Sequence, residues 1–295
     1  MSELQDPREQ FKSDEFKEQE QGTPALQTKM EPVPDTGEET YKANDKLVGR
    51  HALVTGGDSG IGRAAAVAFA KEGADVAIQF LPGEEPDANE VKEFIEGLGR
   101  KALLLPYDLR DEGAATEIIE KTVEEFGELD LLVLNAGQQI AQEKLSDYTV
   151  KQVEDTFKVN VISQFESMMA AEKYLKPGAS VIMTTSVQAS NPSTHLMDYA
   201  ATKASIRNLM VNFSQYFADK GIRVNGVAPG PIWTPIQLDN GQLEGSIPEF
   251  GQDSNLGRAG QPVELAPVYV LLASKEASYI TGQVYGVTGG ENINL

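Results

Sequence analysis

The chain has 295 residues, no cysteine and a formal net charge of −20, with 40% of its residues hydrophobic. The length permits a sizeable core in one large domain or two small ones. The charge argues against nucleic acid and anionic membranes as partners, because their phosphates would be repelled. The missing thiols exclude a disulfide scaffold, a cysteine nucleophile and a thiolate metal site.

Residues 1 to about 46 carry Pro7, Pro24, Pro32 and Pro34, many Glu and Gln, and few large apolar side chains. This composition reads first as an acidic, mobile or loosely attached arm. The sharper reading is an arm packed on its own domain or on a neighbouring subunit, anchored by Phe11, Phe16, Val33 and Tyr41. The polar, acidic start does not resemble a secretory leader, and no apolar run approaches the ~20 residues that cross a bilayer. The cytoplasm is therefore the expected location, with no membrane partner.

From 47 to 295 the rhythm changes. Apolar runs at 51–55, 75–80, 102–107, 129–135, 180–185, 223–228 and 283–287 alternate with helix-like stretches at 61–72, 89–98, 114–126, 149–175, 199–218 and 263–274. Strands alternating with helices imply βαβ units. The expected fold is α/β: a single Rossmann-type, doubly wound sheet of about seven parallel strands with helices on both faces. Ligands of such sheets bind at the carboxyl ends of the strands.

The first run leads into Thr55-Gly56-Gly57-Asp58-Ser59-Gly60-Ile61-Gly62, and a helix follows. Glycines permit a tight turn and close approach of backbone to phosphate, while the helix start offers free N–H groups and a positive dipole end. A glycine cluster alone is a plain loop; one between a strand and a helix points to a dinucleotide. The second run ends at Gln79, Phe80 and Leu81, with neither the acid that would hold an NAD ribose nor the base that would accept an NADP phosphate. Glu84 and Glu85 follow and would repel a phosphate, although the pairs Glu84/Glu85 and Glu38/Glu39 otherwise read as solvated faces. Asp108 and Leu109 end the third run, with helix capping as the alternative for the acid. Asn135, Ala136 and Gly137 end the fourth, where small residues let a ligand lie against the backbone.

Asn160 sits inside a long helical stretch although Asn is a mediocre helix former. Ser186 ends the fifth run, with Thr185 as a competing hydroxyl, and strand alternation allows one of the two to face a site. Tyr199 and Lys203 follow in Tyr-Ala-Ala-Thr-Lys. A phenol with a pKa of about 10 is a poor acid–base catalyst, and an ammonium one turn away on the same face favours the phenolate. By themselves they also fit an aromatic in the core with a lysine snorkelling beside it. Pro229-Gly230-Pro231-Ile232-Trp233-Thr234 follows the sixth run, and 235 to about 258 read as a substrate lid. His195 reads as a pocket-rim or loop residue, and neither His51 nor His195 shows partners for zinc, so no metal is expected.

Together these elements resemble the short-chain dehydrogenase/reductase family over residues 47 to 295, with Ser186 and Tyr199 at the family's separation and the arm and turn resembling its bacterial stress-associated, aldehyde-reductase-like branch. The chain departs from the family's usual Asn-Asn-Ala-Gly in having Leu134 before Asn135. The resemblance implies an NAD- or NADP-dependent oxidoreductase acting on a small carbonyl or alcohol: an aldehyde, ketone, sugar or polyol. It implies catalytic roles for Asn160, Ser186, Tyr199 and Lys203, Asn160 bending its helix and holding a water in a relay to the lysine. Cofactor contacts are implied for Gly56, Asp58, Ser59, Gly60, Ile61, Gly62, Phe80, Asp108, Leu109, Asn135, Ala136, Gly137, Tyr199, Lys203, Pro229, Gly230, Ile232 and Thr234. The family habit is a homotetramer built from the long helices after the fourth and fifth strands. A dinucleotide sensor of the same fold is the rival reading, but it would be expected to lose one of Ser186, Tyr199 and Lys203.

Overall fold

The computed structural model describes residues 4–11 and 16–293. Each predicted apolar run forms a strand: β1 (His51–Thr55), β2 (Asp75–Phe80), β3 (Ala102–Pro106), β4 (Leu131–Leu134), β5 (Ser180–Thr184), β6 (Arg223–Pro229) and β7 (Val284–Val287). They pair in parallel in the order β3-β2-β1-β4-β5-β6-β7. Strands covered on both faces must be apolar on both, which is why they read as continuous runs. Between β1 and β4 the winding reverses, and a crevice opens there at the carboxyl ends.

Two helical layers cover the sheet. One is α1 (Gly60–Lys71), α2 (Glu85–Gly97) and α7 (Ala266–Ala273), which bury Phe69, Val91, Ile95, Tyr269 and Leu272 against one face. The other is α3 (Ala114–Phe126), α4 (Val150–Phe157), α5 (Ser163–Ala171) and α6 (Met197–Ala218), with Ile118, Ile119, Met168, Ile206, Met210 and Phe217 on the opposite face. The helix expected over 149–175 is broken by a π turn at Lys158–Ile162. The cause is Asn160, whose side chain leaves the helix surface to bond the backbone of Gln138, a typical setting for a π bulge. Among the described residues no helix is long and apolar enough to cross a membrane.

Residues 16–46 are not loose. Phe16 is buried and stacks on Trp233 at 4.0 Å between ring centroids, and Trp233 Nε1 donates to Pro32 O at 2.8 Å. Gln27 is buried; its Oε1 accepts from Gly60 N at 2.8 Å, while its own N–H is held by Asp87. Tyr41 donates to Glu72, which also accepts from Asn44 and Lys46 N–H. Glu38 pairs with the buried Arg63 at 2.8 Å. Of the four expected anchors, Phe16 and Tyr41 are engaged, Phe11 lies under the Arg258 guanidinium, and Val33 is exposed. A proline- and glutamine-rich composition disguised the attachment because most of it is made by backbone and polar groups. Residues 1–3, 12–15 and 294–295 of the arm and domain lie outside the described residues.

Candidate active site

A cleft of about 1110 Å³ opens at the crevice. One wall is the turn between β1 and α1. Gly60 has φ +51°, and a Cβ there would come 2.9 Å from Thr234 Cγ2, so the glycine turn and the loop after β6 face each other closely. A Cβ on Gly62 would lie 1.8 Å from Gly56 O, so only glycine lets α1 pack against its own turn. Asn135 braces the same turn: its Nδ2 donates to Thr55 O and Gly56 O, and its Oδ1 accepts from Thr184 Oγ1.

The opposite wall comes from β5 and α6. Thr185 Oγ1 is spent on Lys203 O at 2.8 Å, whereas Ser186 accepts from Gln188 N, acts on the Tyr199 phenol and lines the cleft. Both residues line the cleft, but the Thr185 hydroxyl is committed to backbone, which leaves Ser186 as the candidate. Lys203 Nζ donates to Thr184 O at 3.0 Å and lies 5.3 Å from the centre of the Tyr199 ring. A Cβ built on Gly137 would be 3.5 Å from Asn160 Oδ1 and 3.6 Å from Lys203 Nζ, so these two groups and the end of β4 share one small space. Asn160 Nδ2 also donates to Thr202 Oγ1, which donates in turn to Tyr199 O.

The electrostatics differ from the sequence expectation. Burial pushes the Tyr199 phenol up to about 12, with the Ser186 hydrogen bond pulling the other way. Burial also pushes the Lys203 ammonium down to about 8. The depression of the phenol expected from the lysine is not seen: desolvation sets the direction, and only Ser186 opposes it.

Other expected residues fall as follows. Gly56, Asp58, Ser59, Gly60, Ile61, Asp108, Leu109, Asn135, Ala136, Gly137, Pro229, Gly230, Ile232 and Thr234 line the cleft. Phe80 does not: it is buried among the helices of the α1 layer, and its neighbours Gln79 and Leu81 line the cleft instead, because strand alternation turns Phe80 to the core. Gly62 serves packing and stays behind the turn. The Asn135 side chain is committed to bracing, so a ribose would meet its backbone. Asp108 is paired with Arg110 rather than capping a helix. His195 lies on the rim of the cleft. The lid segment is partly anchored, with Leu238 and Ile247 buried in the Phe16–Trp233 cluster.

Sequence reasoning missed Thr184, which ties Lys203 to Asn135; Thr202, which joins Asn160 to Tyr199; and Thr23 and Ala25 of the arm, which also line the cleft. Nothing local in the sequence marks them. Glu84 was misread as solvated: it is half-buried and lines the cleft, while Glu85 is exposed. Far from the cleft, at the start of β1, the ligand atoms of His51, Glu128 and Asp130 lie within 4.8 Å of one another, an arrangement not expected from the sequence. Its carboxylates are already matched, Glu128 with Lys176 and Asp130 with Arg50 and the His51 N–H.

Residues 56–292 match the protein family described as enoyl-(acyl carrier protein) reductase. The chain is 56% identical over 292 residues to the uncharacterized oxidoreductase YhxD of Bacillus subtilis (strain 168), covering 98% of each. It is 39% identical over 284 residues to NADPH-dependent aldehyde reductase 1, chloroplastic, of Arabidopsis thaliana, covering 94% of this chain and 98% of that one. A short chain dehydrogenase from Burkholderia cenocepacia J2315, solved in complex with NADP, superposes with a TM-score of 0.77 at 32% identity, over 83% of this chain and 98% of that one. A short chain dehydrogenase from Mycobacterium paratuberculosis bound to NAD gives a TM-score of 0.75 at 28% identity, with the same coverage.

Proposed function

We propose, because this chain belongs to the short-chain dehydrogenase/reductase family, that it is an NAD(P)-dependent oxidoreductase interconverting a small alcohol and its aldehyde or ketone, sugars and polyols included. The observation that carries the reading is the row of Ser186, Tyr199 and Lys203 on one wall of a cleft whose other wall is a glycine turn at a helix start. The cleft fits a dinucleotide on its own geometry: the close-packed Gly56–Gly62 turn and the helix start would offer the Ser59 and Ile61 N–H groups to a pyrophosphate, and Asp108 and Leu109 line the cleft where they would flank an adenine. Pro229, Gly230, Ile232 and Thr234 would hold the nicotinamide end.

When bound, the dinucleotide supplies or accepts the hydride. Tyr199 gives its proton to the substrate oxygen in reduction and takes it back in oxidation. Ser186 donates to the same oxygen and stabilises the charge that develops there. Lys203, anchored at Thr184 O, would bind ribose hydroxyls with its remaining donors, and Asn160 supports the path by which the proton on Tyr199 is renewed. The aldehyde or sugar substrate belongs to the proposal through the reductase relative. So does a cytoplasmic homotetramer, supported by the exposed Phe165, Met169, Val211 and Tyr216 on α5 and α6; sedimentation at micromolar concentration should give four times the chain mass.

A phenol raised to about 12 is protonated at every working pH. Reduction should therefore be flat with pH through neutrality. Oxidation needs the phenolate, so its kcat/KM should rise close to tenfold per unit up to about pH 8, above which Lys203 loses its own proton and the slope should fall. Initial rates over a panel of aldehydes, sugars and polyols, with NADH and NADPH and in both directions, provide the test. Tight dinucleotide binding with no turnover anywhere in the panel would replace the oxidoreductase by a sensor.

A further inference from the structure

The loop that follows β4 carries a side chain for which the proposed reaction has no use. Asn160 clamps the Gln138 backbone from both sides, its Oδ1 accepting from Gln138 N at 2.7 Å and its Nδ2 donating to Gln138 O at 3.0 Å. The clamp fixes the next residue, Gln139, two positions beyond Gly137 and the small space shared by Lys203 Nζ and Asn160 Oδ1. Gln139 is 6% exposed and lines the cleft.

The lid sets the orientation of the Gln139 amide. Its Nε2 donates to Gly241 O at 2.6 Å and to Gln237 Oε1 at 3.4 Å. Gln237 presents an acceptor there because its own Nε2 donates to Ile232 O, while its Oε1 also takes Gln242 Nε2 at 2.8 Å. The lid backbone is held as firmly: Ala141 N donates to Asn240 O at 2.8 Å, and a Cβ on Gly241 would lie 1.9 Å from Ile236 O. An amide nitrogen has two protons, and both are directed at the lid, so the Gln139 Oε1 points away from it. Among the described residues nothing donates to that oxygen, yet it is not sealed in the protein as the unpartnered Gln164 Oε1 is. It is an acceptor open to the cleft, between the lid and the Lys203 end. Gln188, the amide beside Ser186, offers no equivalent, because Ser193 occupies both its oxygen and its nitrogen.

We infer that Gln139 is a specificity-determining residue, whose Oε1 accepts from a substrate hydroxyl other than the one that reacts, so that the site favours polyhydroxylated aldehydes and alcohols over their deoxy counterparts. The inference rests on the oxidoreductase reading of this cleft. A hydroxyl satisfies the oxygen, whereas a methylene leaves a buried acceptor unpaired. Sites built around a hydrogen bond to a substrate hydroxyl reject the analogue lacking it far more strongly than an apolar pocket rejects a methylene. Ser186 and Tyr199 are left to the reacting oxygen.

The test is kcat/KM of the full-length protein for two pairs, glyceraldehyde against propanal and ribitol against 1-pentanol, at saturating dinucleotide. Wild type should favour the hydroxylated member by at least about tenfold, and Gln139→Leu should lower that ratio by about tenfold. Losing the Gly241 contact loosens the lid for both members of a pair, so the ratio isolates the hydroxyl contact. Gln139→Glu, which keeps an oxygen acceptor of the same reach, should hold the ratio within about threefold of wild type. Gln139→Met, matched in length, carries the test where Leu unfolds the chain. A wild-type ratio near one, a ratio unmoved in the folded Leu or Met variant, or a ratio lost equally in the Glu variant overturns the inference and leaves the oxidoreductase reading standing. Absence of turnover with both pairs overturns the inference; absence across the whole aldehyde, sugar and polyol panel overturns the oxidoreductase reading with it.

Discussion

Tyr199→Phe should lower turnover by about 10³-fold in both directions while leaving dinucleotide affinity within about threefold of wild type. The substitution removes one oxygen. The ring stays packed beside Lys203, the Lys203 bond to Thr184 O is untouched, and Ser186 keeps its contact with Gln188 N. What is lost is the group proposed to exchange a proton with the substrate oxygen. The split between a large fall in kcat and an unmoved nucleotide Kd is the signature, because a merely structural tyrosine would move both or neither. Full turnover in a folded Phe variant would remove Tyr199 from the mechanism and leave Ser186 or a water to be the acid.

Deleting residues 1–46 should lower the melting temperature by more than about 10 °C and weaken dinucleotide binding. The deletion uncovers Trp233, which is fully buried, and removes Phe16 from its face; losing a buried aromatic costs roughly 3–5 kcal/mol. It also strips Gly60 N of the Gln27 acceptor and Glu72 of three donors, each orphaned buried group costing about 1–3 kcal/mol. At this chain length one kcal/mol moves the midpoint by roughly 2–4 °C, so the sum clears the threshold. The weaker binding follows because Gln27 holds the glycine turn and Trp233 begins the loop facing it. Phe16→Ala in the full chain should produce a smaller fall of the same kind, separating the stack from the polar anchors. Thermal unfolding by circular dichroism checks both, and an unchanged midpoint after deletion would make the arm an accessory.

Much of this was legible beforehand, and particular residues show where legibility stopped. The strands were readable because a segment buried on both faces leaves no room for polar residues. Four of the seven predicted runs overreach a strand end by one or two residues, at the carboxyl end of β3 and β5, the amino end of β7 and both ends of β4, since residues flanking a strand still look extended. The order of the glycine turn, Asn135, Asn160, Ser186, Tyr199 and Lys203 along the chain placed them all at the carboxyl edge or on the helices beside it. The broken helix at Asn160 was foreshadowed by a poor helix former, although its partner, the Gln138 backbone, carried no signal at all.

The sequence by itself determined the class of fold and the family, and placed a candidate site on it, because these follow from local periodicity and from motifs whose spacing is set along one strand or one helix. Only the tertiary structure decided how those groups behave. Whether Phe80 or its neighbours face the cleft depends on which side of β2 the helices cover. The direction of the Tyr199 shift depends on how much water the folded chain excludes, which no spacing to Lys203 reveals. Glu84 becomes a lining residue of the cleft, and Gln27 a brace on Gly60 across 33 residues of chain, through folding alone. Desolvation and long-range packing are sums over whatever the fold brings near, so they become readable once the chain has closed on itself.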